Sequence, residues 1–234
     1  MLKKLAFLCL MCGLVFGNDL GVRLGKTTQK ETAGLTDSKG GEFYFNWNKA
    51  EDSSFAAKLL VFYNKHDKDL VYISANDYYE SQMSAFGING LFGWQFGYND
   101  NSWGAVRIYP LGISTDVLMS DEKESYNTGY GTYYYEDSYI DVLVSYKAMI
   151  EYQKNHIFDT GLYGIASVGF KKGFYYSDSV DKLKPKGYEA SAEIGYQILK
   201  GLALGVRVGI EKSKYDGFDF ANSKTYQAVI GYRF

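Results

Sequence analysis

Two prolines, two cysteines and no apolar run long enough to cross a bilayer as a helix are the first things this chain of 234 residues shows by their scarcity. Cys9 and Cys12 both lie in the first seventeen residues, which read as a cleaved export leader, so the remaining chain can form neither a disulfide nor a thiol site. Leu8 and Met11 precede them where a lipoprotein cleavage box needs a small residue, so no lipid anchor is expected. Outside the leader no stretch approaches the roughly 18 apolar residues of a membrane helix, and the mean hydropathy is −0.25. Basic blocks are also missing. Taking Lys3 and Lys4 from the 25 basic residues leaves 23 against 27 acidic ones, a net charge of about −4 that gives no electrostatic case for nucleic acid. No Gly-x-Ser-x-Gly elbow, His-Glu-x-x-His helix, phosphate loop or metal-binding loop occurs, and no cofactor or metal is expected.

The leader itself has a charged start at Lys3 and Lys4, an apolar run from Leu5 to Phe16, and Val15 and Gly17 at the positions a signal peptidase reads. Export divides the chain into a signal peptide, 1–17, and a single unit, 18–234. The 26 glycines, 23 tyrosines and 15 phenylalanines of the whole chain favour strands and tight turns. Strands that cross a membrane must close into a barrel, because lipid offers nothing to a free backbone edge.

Period-two alternation runs through the chain. In the last segment Tyr226, Ala228, Ile230, Tyr232 and Phe234 alternate with Thr225, Gln227, Val229, Gly231 and Arg233. The first set is an apolar band with aromatics at both ends, which suits a lipid-facing strand between two aromatic girdles about 25 Å apart. Leu202 to Ile210 and Tyr188 to Ile198 repeat the pattern across a turn at Leu199, Lys200 and Gly201. So do Ile140 to Tyr152, Thr160 to Phe170, Phe86 to Tyr98, Trp103 to Tyr109, Phe43 to Trp47, Phe55 to Tyr63 and Leu20 to Leu24. The expectation is an all-β, antiparallel transmembrane barrel of about ten strands. Leu70 to Ala75 is also strand-like, and Pro110 would cost a closed ladder one hydrogen bond, so eight or twelve strands stay open. Loops near 30–40, 65–83, 116–138, 173–186 and 215–223 all fall on one side, as extracellular loops do in the Gram-negative outer membrane.

The ending Gln227-Ala-Val-Ile-Gly-Tyr-Arg-Phe234 resembles the C-terminal assembly signal of outer-membrane barrels, with Val229 where that signal usually has glycine. The resemblance implies that Tyr232 and Phe234 are read by the barrel-assembly machinery. The stretch Phe86-Gly-Ile-Asn-Gly through Trp103-Gly-Ala-Val-Arg-Ile-Tyr109 is similar to a hairpin in the outer-membrane protein families of Helicobacter and Campylobacter. That likeness covers about thirty residues and rests on the spacing of glycines and aromatics.

The alternation points Arg23, Lys58, Arg107, Lys147, Arg207 and Arg233 into the lumen with Glu42, Asp141, Glu151, Glu189, Glu193 and Glu211. Balanced signs allow two readings, a paired polar core that plugs the barrel or the lining of a narrow pore. The segment from Ser120 to Asp137 is the most distinctive outside the strands. Tyr126, Tyr130, Tyr133, Tyr134 and Tyr135 give it an adaptable contact surface for a host or surface ligand, or a set of rings that stack across an extended hairpin. Its carboxylates, Asp121, Glu122, Glu124, Glu136 and Asp137, suit divalent cations that bridge lipopolysaccharide, a partner along with outer-membrane lipid. His66, with Asp67 or Asp69, is the one conceivable dyad of an outer-loop hydrolase; His156 falls on a turn. The function expected is a non-enzymatic outer-membrane surface protein, structural or adhesive, with a small porin for ions or polar solutes as the alternative and a hydrolase third.

Overall fold

Antiparallel strands carry almost all of the computed structural model, which describes residues 19–31, 34–48, 53–66, 69–72, 77–98, 102–127, 131–176, 185–199, 201–215 and 218–232. The strands are β1 (Asp19–Glu31), β2 (Gly34–Asn48), β3 (Ser53–His66), β4 (Asp69–Tyr72), β5 (Tyr78–Gly97), β6 (Ala105–Asn127), β7 (Thr132–Ile157), β8 (Leu162–Tyr176), β9 (Lys186–Gln197), β10 (Leu202–Tyr215) and β11 (Phe218–Tyr232). Sequence neighbours pair from β1 to β3 and from β4 to β11, β3 pairs with β5, and β1 closes on β11 from Leu20↔Tyr232 to Gln29↔Ser223. Ten strands therefore form a closed barrel. β4, the strand-like segment after His66, stands outside the ring and adds to the end of β5 through Asp69↔Ser81 to Tyr72↔Tyr78.

Alternation decides which face each residue takes. On β10, Leu204, Val206, Val208 and Ile210 are exposed, while Ala203 is fully buried. Exposed Trp47, Phe55, Phe92, Trp94, Tyr196 and Tyr232 mark one rim of an apolar belt. In water such a belt would be a large aggregation surface; around a closed barrel it is the face that meets lipid.

Pro110 does not end its strand. Trp94↔Ile108 gives way to Phe92↔Leu111 on one side, and Tyr109↔Met149 to Ile113↔Tyr146 on the other, so β6 holds one extra residue against both neighbours. A bulge is where a ladder tolerates a residue without an N–H. It also changes the inward phase: Arg107 and Tyr109 point in below it, Gly112, Ser114 and Asp116 above it. The strand expected to stop at Tyr109 continues to Asn127.

Much of what sequence assigned to loops is strand. β1 and β2 stay paired to Glu31↔Gly34, β6 and β7 to Asn127↔Thr132, and β10 and β11 to Tyr215↔Phe218. The β6–β7 hairpin, with arms of 23 and 26 residues, takes in most of 116–138. Beyond the belt both faces of a strand are wet, so the hydrophobic alternation that identifies it disappears. The end of the barrel carrying these extensions is here called the hairpin end, and the other, with the connections at 158–161 and 198–201, the short-turn end.

Candidate functional site

Inward side chains fill the barrel in three levels of ion pairs. Nearest the short-turn end, Arg107 has no exposed surface and spends its donors on neighbours: Nε on Gln95 Oε1 at 2.8 Å, Nη1 on Glu151 Oε1 at 3.0 Å and on Gln153 Oε1 at 2.7 Å. Lys58 pairs with the other oxygen of Glu151. Gln153 Nε2 donates in turn to Asp19 Oδ2 at 3.2 Å. One carboxylate thus serves two buried cations, and each cation comes from a different strand.

Arg23 dominates the middle level. It pairs with Glu42 of β2 and, across the lumen, with Glu193 of β9 at 2.9 Å. Its guanidinium also lies over the Tyr44 ring, 4.1 Å from the centroid, where the negative ring face adds to its binding. Tyr163 donates to Glu193 at 3.2 Å, and Arg207 donates to Gln227 at 2.8 Å and Ser191 at 3.2 Å. Toward the hairpin end, Lys147 meets Glu189 at 2.7 Å, while Lys171 meets Asp116 at 2.7 Å and Glu211 at 3.7 Å. A charge inside a barrel is tolerated only when it is paired in this way.

Two tyrosines seal what the ions leave open. A Cβ built on Gly21 or Gly231 would come within 2.5 or 2.4 Å of the Tyr44 hydroxyl, and one on Gly195 or Gly205 within 2.5 Å of the Tyr163 hydroxyl. Each ring therefore lies across a pair of glycines on adjacent strands and can do so only because they lack side chains. Gly205→Val should lower the unfolding free energy of the refolded barrel by about 1–3 kcal/mol through overpacking, read as the midpoint of a urea titration.

A cavity of about 440 Å³ occupies the rest of the lumen. It runs from Arg23, Lys58 and Glu151 up to Ser38, Asn64, His66 and Ser223 near the hairpin end. Below it lies a floor in which, among the described residues, Arg107, Tyr109, Gln153 and Ala203 expose no surface to solvent. The interior is a charged cup, open toward one end and floored at the other.

Of the residues the alternation pointed inward, Arg23, Glu42, Lys58, Arg107, Lys147, Glu151, Glu189, Glu193, Arg207 and Glu211 lie together in these networks. Asp141 has the inward phase but joins no ion pair among the described residues, and Arg233 lies outside them. Asp116 and Lys171 were missed. The bulge hid Asp116, whereas Lys171 follows Gly169 in the inward phase and could have been read. The neutral partners Gln95, Gln153, Tyr44 and Tyr163 carry no sequence signal that separates them from other polar residues.

Outside the barrel, Tyr126 stacks on Tyr133 with ring centroids 6.0 Å apart. Tyr134 is three-quarters exposed, Tyr135 about half, and Tyr130 lies outside the described residues. The Asp137 carboxylate accepts from Tyr135 and from the Ser138 N–H, both at 2.8 Å. Hydrogen bonds from the hydroxyls of Tyr139 and Tyr135 hold it below the usual carboxylate range. A depressed value stabilises the folded hairpin above the unfolded pKa of about 3.9, and that contribution is lost as pH falls through the folded value. Carboxyl chemical shifts should therefore put the Asp137 midpoint below about 4, and Tyr139→Phe should move it up.

His66 ends β3 on the inward phase at the mouth of the cup, not on a loop tip; Asp67 lies outside the described residues. His156 is the last residue but one of β7 at the opposite end, its Nδ1 3.1 Å from the Thr160 carbonyl oxygen of the following turn. Tyr232 is exposed on the last strand, in register with Leu20 and Leu202, and Phe234 lies outside the described residues. No group of three or more metal-ligating side chains occurs among the described residues.

Solved structures similar to this chain are bacterial outer-membrane barrels. The chain has the fold of an outer-membrane β-barrel. The β domain of the Bordetella autotransporter BrkA matches at 11% identity, over 93% of this chain and all of that one, with a TM-score of 0.46. The translocator domain of the autotransporter NalP from Neisseria meningitidis matches at 10% identity, over 99% and 98% of the two chains, with a TM-score of 0.48. An outer-membrane channel from Pseudomonas putida F1 follows at 10%, 93% and 96%, and 0.41. No protein-family model matches the chain, and no curated protein matches its sequence. The architecture rests on the closed ladder and apolar belt of this chain itself, which require a bilayer.

Proposed function

We propose that this chain is a non-conducting, non-enzymatic surface protein of the outer membrane that acts through the long β6–β7 hairpin. The observation that carries the reading is the floor of the cup: four residues of the lower lumen, Arg107, Tyr109, Gln153 and Ala203, expose nothing to solvent. A water-filled passage would have to wet them. With that floor among the described residues, the parts best placed to meet a partner are those beyond the belt, where the paired arms of β6 and β7 hold Tyr133, Tyr134 and Tyr135 in the open. Rigid amphipathic rings on a pre-formed hairpin give contact area at little cost in entropy. The hairpin resemblance over Phe86 to Tyr109 supports an origin near the Helicobacter and Campylobacter barrel families, and the chain's last residues support delivery by the barrel-assembly machinery.

Planar bilayers test the reading. Wild-type protein, shown to be folded by a strand-dominated circular dichroism spectrum and heat-modifiable gel migration, should give no discrete conductance steps. Stable steps would put the channel reading first, which the charged cup of about 440 Å³ favours. The triple substitution of Tyr133, Tyr134 and Tyr135 by serine should leave heat modifiability unchanged while reducing adhesion of cells that display the barrel. Equal adhesion would remove the hairpin from the function.

A further inference from the structure

Two charges on the wall of the cup are bound less closely than the rest. Among the described residues that line it, Arg23, Lys58, Lys147 and Lys171 each hold a carboxylate within hydrogen-bond distance. Arg207 differs: its close bonds go to neutral oxygens, Gln227 at 2.8 Å and Ser191 at 3.2 Å. Glu42 stands 3.8 Å from it and is already held by Arg23. Glu211 is the counterpart among the lining carboxylates. It lies 3.7 Å from Lys171, which is bonded to Asp116 at 2.7 Å, and its side chain is about one-third exposed. With Glu189 and Asp116 it makes a third carboxylate where Lys147 and Lys171 are the cations. Arg207 and Glu211 share the inward face of β10, four residues and about 13 Å apart along the strand. Glu211 is the nearer to the mouth, in register with Ser223.

A third group faces them across the lumen. Asn89 of β5 lines the cup and is 7% exposed, and its amide oxygen is buried with no donor. Among the described residues Asn46, Tyr109 and Ser145 also bury a side-chain oxygen without a partner, but none of these three lines the cup. β5 and β10 stand on opposite sides of the barrel, since β10 is the fifth strand from β5 whichever way the ring of ten is followed. The wall on the Asn89 side is apolar, with Leu60 and Phe62 on β3, Leu118 on β6 and Leu143 on β7. A buried acceptor without a donor costs stability that a ligand N–H recovers. The cavity of about 440 Å³ falls in the range that takes a small molecule.

We propose that the cup is a binding site for a short zwitterionic peptide that enters carboxylate first. The C-terminal carboxylate meets Arg207, the ammonium group meets Glu211, a peptide N–H donates to Asn89, and a small side chain lies against the apolar wall. Three extended residues span about 10 Å, which suits two charges this far apart on β10. A single amino acid is too short to meet both, and a peptide blocked at either end leaves one of them unmet. The site is inside the barrel, so it is separate from the β6–β7 hairpin and stands whether or not the lumen conducts.

The test is equilibrium dialysis of radiolabelled trialanine against the full barrel refolded in detergent, with heat modifiability as the check on folding. Unlabelled trialanine, its N-acetyl form, its C-terminal amide and free alanine serve as competitors. Trialanine should bind saturably, and each blocked form should compete about tenfold less well, the effect of losing one hydrogen bond to a charged group. Alanine should compete less well than any of the three. Each variant should erase one preference: Arg207→Gln the one for trialanine over its amide, Glu211→Gln the one over the acetylated form. Asn89→Leu should weaken trialanine about fivefold and, because it removes an unmet acceptor, raise the midpoint of the urea titration. Three results overturn the proposal. No saturable binding to the folded wild-type barrel would mean that the cup holds only water. Equal competition by trialanine and both blocked forms would mean that neither charge is read, and preferences unchanged in folded Arg207→Gln and Glu211→Gln would place the peptide elsewhere.

Discussion

Glu151→Gln should lower the unfolding free energy of the refolded barrel by about 3–5 kcal/mol, the range found when one partner of a buried ion pair is removed. Glu151 is 1% exposed and is the shared anion of Lys58 and Arg107, themselves 6% and 0% exposed. The amide keeps the shape of the side chain but leaves two cations facing each other in a closed floor. Replacing the whole set, Lys58→Met, Arg107→Met and Glu151→Leu together, should recover most of the loss, because an apolar floor of similar volume has no charge to desolvate. Urea titration followed by tryptophan fluorescence measures both. A loss under about 1 kcal/mol for Glu151→Gln would mean that water reaches this level and screens it, and with that the floor itself would be gone.

Opening the floor should turn a silent barrel into a conducting one. Serine at Lys58, Arg107, Tyr109 and Glu151 removes the lowest ion-pair level and the largest ring beside it without stranding a charge. The cup then has a route to the short-turn end. Planar bilayers should show discrete conductance steps that the wild-type protein lacks. The remaining inward charges, Arg23, Arg207, Lys147 and Lys171 against Asp19, Glu42, Asp116, Asp141, Glu189, Glu193 and Glu211, leave three excess carboxylates, so the steps should favour cations. A folded variant that stays silent would show that Tyr44 and Tyr163, lying on their glycine pairs, block the lumen by themselves.

Lipid-facing alternation was legible because lipid demands it at every second residue. That is why Leu204 to Ile210 and Tyr226 to Tyr232 could be assigned from sequence, and with them the inward phase of Arg207 and Arg23. Legibility ended where a second rule intervened. At Pro110 a bulge changes the phase, so Asp116 could not be placed; above the belt, where both faces are solvated, the arms of β6 and β7 were legible only through their tyrosines, as rings stacking across an extended hairpin, which Tyr126 on Tyr133 bears out. Partners were harder still. Arg23 and Glu193 are 170 residues apart, and their meeting depends on the closure and stagger of the whole ring, which no local pattern records.

The pairing of β1 with β11 has a consequence for how this molecule comes into being. Those strands are joined over ten positions by residues about two hundred apart in the chain, so the seam cannot form until everything between them has been laid down. Contacts of such range make folding slow. Until they form, two bare strand edges are open to any other extended chain. Arg23 waits with them: its salt bridge to Glu42 can form early, within the first hairpin, but the one to Glu193 must await the ring. The last event of assembly is therefore a zipper and a buried charge satisfied at once, and a chain halted short of it would be sticky at both edges and electrostatically unfinished inside.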